Sequence, residues 1–96
     1  MSTTTVELAQ SPGLSETQLY QQALKSFLQE KRRETLQIRL EILSRYQVRS
    51  VDELETGIRA GSIPEHPAWE DLIVTENLNT RLEELDAHLR NLYAVH

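Results

Sequence analysis

The sequence predicts an all-α fold, a long antiparallel helical hairpin with a short bridging helix, dimerising into a four-helix bundle. Three observations carry this prediction. No glycine or proline interrupts the chain between Gly13 and Gly57. Hydrophobic residues make up 39% of the chain and aromatic residues only 5%, which suits thin helices that each need one apolar stripe. Five leucines near the end step by four and three residues, the period of a heptad seam: Leu78, Leu82, Leu85, Leu89 and Leu92.

Charge is divided between the two halves of the chain. Seven basic and three acidic residues lie between Lys25 and Arg49, whereas six acidic and two basic residues lie between Glu70 and Leu92. Two helices of opposite sign, lying side by side, explain this division, because such charges set partner choice and orientation. The net charge of −5 argues against a general nucleic-acid binder.

The first helix is predicted over about residues 15–46, after a disordered tail at 1–13. The sequence Ser15-Glu16-Thr17-Gln18 has the S-x-x-Q pattern of a capping box, in which two side chains satisfy free backbone amides. Residues 14–96 are taken as one domain, since 96 residues allow no more.

The connection carries its own helix signals. Ser50 and Glu53 match a second capping box, and Gly61 is a natural stop, so we expect a bridging helix over about 51–60. The last helix is expected over about 67–93, because Pro67 is tolerated at a first helical position and acidic residues follow it.

The first helix is apolar on more than one side, which predicts two neighbours. We expect three of its leucines to cover the terminal seam within one chain: Leu36, Leu40 and Leu43. The remaining apolar residues are then left for a second copy, and with the sole tryptophan they form the predicted interface: Tyr20, Leu24, Phe27, Leu28, Ile38, Ile42 and Trp69. A homodimer is therefore expected.

Nothing in the sequence predicts catalysis, a cofactor or a metal site. The three histidines, His66, His88 and His96, are far apart, whereas zinc needs three or four converging ligands. No nucleophile motif or glycine-rich phosphate loop is present, and three glycines cannot build a nucleotide cradle. An enzyme using clustered carboxylates is the weakest reading, because carboxylate pairs are common on any acidic helix.

Location is predicted from what the chain lacks. It has no cysteine, so disulfides and thiolate metal sites are excluded. The first ten residues, MSTTTVELAQ, lack the basic and apolar regions of a signal peptide. The longest aliphatic run is Leu72-Ile73-Val74, which predicts no membrane span. We expect a cytoplasmic protein.

Two stretches have functional readings beside structural ones. Lys31, Arg32 and Arg33 form the basic cluster, which either contacts phosphates or pairs with carboxylates such as Glu30. Trp69 either plugs the joint between the short helix and the hairpin or anchors a partner, as interface aromatics often do.

One resemblance bears on function. Arg45-Tyr46-Gln47-Val48, Ser50 to Leu54, Gly61 and Pro67 to Leu72 resemble a pattern in small uncharacterised prokaryotic helical-hairpin proteins. It covers about residues 36–92, and Gln47 stands where the pattern has glycine. Some of those proteins look like partners of toxin-like proteins, which implies an antitoxin-like or adaptor role.

The functional prediction is a non-enzymatic coiled-coil module for protein–protein interaction. The alternative is a small regulator that contacts nucleic acid through residues 31–33. The two differ in whether binding weakens steeply with salt and with charge reversal in the basic cluster.

Overall fold

The computed structural model describes residues 15–94, and its regular structure there is entirely helical. Three helices follow in chain order: α1 (Glu16–Arg45), α2 (Val51–Arg59) and α3 (Glu65–Ala94). The molecule is elongated, with principal extents of 61 × 25 × 17 Å. The predicted tail at 1–13 and the terminal His96 lie outside the described residues.

The start of α1 is fixed by a complete capping box. The Ser15 hydroxyl accepts from the Gln18 amide at 3.1 Å, and the Gln18 side chain accepts from the Ser15 amide at 3.0 Å. Two backbone donors that the first turn would leave free are thereby satisfied.

The end of α1 is a tight reversal built on a left-handed residue. The Val48 amide donates to the Leu43 carbonyl at 3.2 Å, and the Gln47 amide donates to the Ser44 carbonyl at 3.1 Å. These two bonds define a Schellman motif, whose turning residue usually is glycine. Gln47 takes that place with a φ of 57°.

The ends of α2 follow the same rules with one difference from the sequence prediction. The Ser50 hydroxyl accepts from the Glu53 amide at 3.1 Å, but the Glu53 carboxylate accepts from Arg49, at 2.7 Å, rather than from Ser50. The second capping box is therefore only half formed. The helix ends at Arg59, and Gly61, which follows the C-cap Ala60, has a φ of 78° that suits a residue without Cβ.

The start of α3 has a break. His66 has extended backbone angles, φ −112° and ψ 126°, so the continuous helix runs from Pro67. Proline at this position loses no hydrogen bond, because the first amides of a helix have no partner within it.

Four polar contacts set the register of α1 against α3. The Lys25 ammonium lies 4.5 Å from the centroid of the Tyr93 ring. Arg32 donates to Asp86 at 2.7 Å, and Arg39 donates to Asn79 at 2.6 Å. Tyr46 donates to Asp71 near the joint. The residues at the α1 end of these contacts are spaced by seven, and the numbers of their α3 partners decrease as the α1 numbers increase. The helices are therefore antiparallel, with contacts that repeat at the heptad period.

The densest apolar packing lies at the joint. Leu43 of α1, Leu54 and Ile58 of α2, and Ala68 and Leu72 of α3 form one buried cluster. Ile63 packs against this cluster and lies over Gly57, where an added Cβ would come within 2.5 Å of the Ile63 side chain. The bridging helix is thus a structural part of the hairpin's closed end.

The leucine seam of α3 is buried along its middle, at Leu82, Leu85 and Leu89, and half-buried at Leu78 and Leu92. Its predicted α1 partners are placed differently. Leu43 is buried in the joint cluster and Leu36 is half-buried beside Leu82, but Leu40 is 58% exposed.

The expected pairing of 78–92 with 36–43 therefore holds over only part of each segment. The register sets 36–39 beside 79–82, and it sets Leu24 and Leu28 in one cleft with Leu92. The two helices lie side by side over nearly their full length, so no short segment of α1 can cover the whole seam.

Candidate interaction surface

One side of the hairpin carries exposed and half-buried apolar side chains at both of its ends, and we call this side the open face. Tyr20 and Phe27 of α1 are 71% and 55% exposed. The open face consists of Tyr20, Phe27 and Ile38 on α1 and of Val74, Leu78 and Leu92 on α3.

The two sets lie on the same side because of helix geometry. Ile38, Leu78 and Leu92 each directly precede a residue that contacts the other helix, so each lies about 100° back from that contact. Viewed from one end of the hairpin, two antiparallel helices wind in opposite senses. A residue that precedes a contact residue on α1 and one that precedes a contact residue on α3 are therefore displaced toward the same side of the hairpin. A cleft lined by Leu24, Leu28, His88 and Leu92 opens there.

The bridging helix lies on the opposite side. Val51 and Asp52 line a cleft together with Leu43 and Asn79. Asn79 lies on the line of contact between α1 and α3, and Leu43 lies on the side of that line away from the open face. The open face is consequently unobstructed by α2.

The predicted interface residues are only partly available for a partner. Ile42 is 4% exposed in the single chain, so it lies inside the hairpin and its assignment to a dimer interface is corrected. Leu24 and Leu28 are half-buried against the end of α3. Tyr20, Phe27 and Ile38 remain exposed.

Trp69 belongs to neither the joint core nor the open face. It is 45% exposed beside Ile58, Arg59 and His66, and it lies about 140° around α3 from Val74. The expected plug of the joint is formed instead by Ala68 and Leu72, which face α2 and are almost fully buried. Trp69 is therefore part of a second, outer surface.

The middle of the open face is polar. The Lys31 ammonium lies 3.4 Å from Glu34 on the next turn of α1 and 5.6 Å from the centroid of the Phe27 ring. Both charged groups are about half exposed, so this ion pair contributes little stability by itself. Its position between Phe27 and Ile38 divides the α1 half of the face into two apolar ends.

All three cations of the basic cluster have carboxylate partners in the same chain. Besides Lys31, Arg32 pairs with Asp86 at 2.7 Å, and Arg33 pairs with Glu30 at 2.5 Å. The hydrogen bond from Arg33 lowers the pKa of Glu30, and Glu30 raises the pKa of Arg33. Consecutive residues also point about 100° apart, so the cluster does not form one basic patch.

The joint contains one titratable side chain whose pKa is strongly shifted, Tyr46. Burial of the Tyr46 hydroxyl, followed by its hydrogen bond and charge interaction with Asp71, raises the pKa of Tyr46 to about 12. Arg45 lies 3.6 Å from the same Asp71 carboxylate and opposes the shift only weakly. This arrangement ties the end of α1 to the first turns of α3.

Within residues 15–94 we looked for side chains that could bind a metal ion together. No group of three potential metal-binding side chains lies together in this part of the chain. A cleft of about 550 Å³ at the joint is open and is lined by Tyr46, Asp52, Glu53 and Ile63 among others. In the same range, no helix is both long enough and apolar enough to cross a bilayer.

Sequence reasoning missed two features of the hairpin. Thr75 is fully buried, and its hydroxyl lies within 3.1 Å of the Asp71 and Leu72 carbonyls, which satisfy it within the helix. Tyr93 closes the far end, where its ring meets Lys25 and its hydroxyl lies 3.5 Å from Gln29. A heptad count back from Arg39 and Arg32 to Lys25 could have indicated the second contact.

The fold and this surface define a class of protein: a small helical hairpin, stapled at its joint by a short helix, with one uncovered apolar face. The chain belongs to the Uncharacterized protein MJ0235 family, whose model matches residues 1–95. No curated protein and no solved structure matches the chain.

Proposed function

We propose that this protein is a non-enzymatic coiled-coil interaction module that works as a homodimer, in which two open faces meet in a four-helix bundle. The observation that carries the proposal is the open face itself: exposed Tyr20, Phe27 and Ile38 lie on the same side of the hairpin as Val74 and Leu92. Large contiguous apolar patches on small proteins commonly mark interaction sites.

The size of the face suits a stable dimer. Helices of 30 residues extend about 45 Å, and two side by side present on the order of 900 Å². A stable interface buries about 800 Å² on each partner. The position of α2 on the other side leaves room for close approach along this length.

The dimer also leaves a surface for another protein. Trp69 and the neighbouring Ile73, which is 49% exposed, lie on the outer side of α3. An antitoxin-like or adaptor role in the cytoplasm, which the sequence resemblance implies, would use this outer surface. A Trp69→Ala protein that stays folded and dimeric but loses a partner from its native cell would support that role.

Sedimentation equilibrium tests the dimer. At micromolar concentrations we expect twice the chain mass of 11.1 kDa. Phe27→Glu should weaken the dimer at least about a hundredfold, because the two-fold symmetry buries the new carboxylate twice. Leu40→Glu is the matched control, since Leu40 is equally exposed but lies off the open face. A stable 11.1 kDa species for the unchanged protein would overturn the proposal.

Nucleic-acid contact through Lys31, Arg32 and Arg33 is the alternative. The carboxylate partners of all three cations favour the protein–protein proposal. A gel-shift titration separates the two functions. Binding that falls steeply with salt, and that is lost on charge reversal at these positions, would favour the alternative.

A further inference from the structure

We propose that the second copy packs on the open face turned end for end, with the two joints at opposite ends of the bundle. The two-fold axis crosses α1 between Arg32 and Arg33, and it crosses α3 at Leu85. This proposal rests on the open face being the interaction surface proposed above, and it specifies the partner and the pairing.

The first support is the near-palindromic order of residues on α1. Phe27 and Ile38 are equally distant from the midpoint between Arg32 and Arg33, and so are Lys31 and Glu34. In an antiparallel pair of α1 helices, Phe27 of one copy therefore meets Ile38 of the other. Each Lys31 likewise meets a Glu34, so apolar groups oppose apolar groups and charges oppose their complements.

The second support comes from α3 and is independent of that order. The bond between Arg32 and Asp86 sets the α1 midpoint at the height of Leu85. Leu78 and Leu92, the two half-buried leucines of the open face, are equally distant from Leu85. One axis therefore pairs leucine with leucine on α3 while it pairs the α1 residues as described.

The other symmetric arrangement fits less well. A two-fold axis along the bundle would set α1 of one copy against α3 of the other at unchanged heights. Tyr20 would project beyond the last residues of α3. The aromatic surface that Tyr20 leaves uncovered disfavours that pairing.

Cysteine cross-linking tests the pairing directly, because the chain contains no cysteine of its own. Phe27→Cys and Ile38→Cys proteins are mixed, exchanged and oxidised, after sedimentation has shown that each remains dimeric. We expect a disulfide between the two different variants. Neither variant alone should cross-link, because its two copies of one position lie about 16 Å apart along the axis, beyond the reach of a disulfide.

The outcomes separate this proposal from the broader one. A dimer that lacks the mixed cross-link, or in which either variant links to itself, would overturn the pairing and leave the interaction function standing. A monomeric unchanged protein would overturn both. If either cysteine variant proves monomeric, the charge exchange described next decides the pairing in its place.

A charge exchange gives a second readout. Lys31→Glu should weaken the dimer about fivefold to tenfold, because symmetry creates two contacts between like charges. Adding Glu34→Lys should restore it. Arg33→Glu is the matched control, since Arg33 and Glu30 form the same kind of pair, three residues apart on α1, but off the open face. Equal weakening by the Lys31 and Arg33 changes would contradict the pairing.

Discussion

Gln47 shows how one residue sets the angle at which the chain leaves α1. Its φ of 57° is costly for a side chain with a Cβ and free of strain for glycine. Gln47→Gly should therefore stabilise the protein by about 0.5–1 kcal/mol in urea titration. Gln37→Gly, at an exposed site inside α1, should instead cost about 1 kcal/mol. Equal losses at both positions would contradict the role assigned to Gln47.

Tyr46 makes stability depend on alkaline pH. Its pKa is raised to about 12 in the folded chain, above the ordinary value of 10.0. A raised pKa means that the stabilisation is complete below pH 10 and is lost as pH rises through about 12. Thermal melts should show this loss of stability, and the stability of the Tyr46→Phe protein should fall less steeply over the same pH range. When tyrosine ionisation is followed by near-ultraviolet absorbance, the Tyr46→Phe protein should lack the step at about pH 12.

At the scale of elements, α2 stabilises the joint by filling it. Leu54 has no exposed surface and packs among Leu43, Ala68 and Leu72. Leu54→Ala should destabilise the protein by roughly 2–5 kcal/mol, because it removes buried methyl groups and leaves a cavity. Leu40→Ala, the same change at a 58% exposed site, should stay within about 0.5 kcal/mol. Similar losses of stability in the two variants would indicate that Leu40 packs in the hairpin seam.

At the scale of the whole molecule, stability is uneven along the hairpin. The buried cluster lies at the joint, whereas the far end relies on half-buried leucines such as Leu24, Leu28 and Leu92. A second copy that covers the open face would therefore stabilise that far end most. Amide exchange in the first turns of α1 should therefore quicken on dilution, while exchange around Leu54 and Leu72 changes little. A uniform response would indicate that dimer and joint unfold together.

Local signals predicted the elements well. Ser15 and Gln18 form the expected capping box, and Gly61 ends the bridging helix. Such signals act within one or two turns of helix, so they can be read from neighbouring residues. The candidate surface was predicted less completely: Tyr20, Phe27 and Ile38 are exposed as expected, whereas Ile42 is buried and Trp69 lies elsewhere.

The sequence by itself predicted three helices within residues 15–94, their ends to within about two residues, and the leucine seam that α3 buries. These properties follow from caps, breakers and helical period. Only the tertiary structure decided the register, because several antiparallel alignments bury leucine equally well. The contacts of Arg32 with Asp86 and of Arg39 with Asn79 select one of them. That choice also decides which apolar residues the hairpin leaves uncovered.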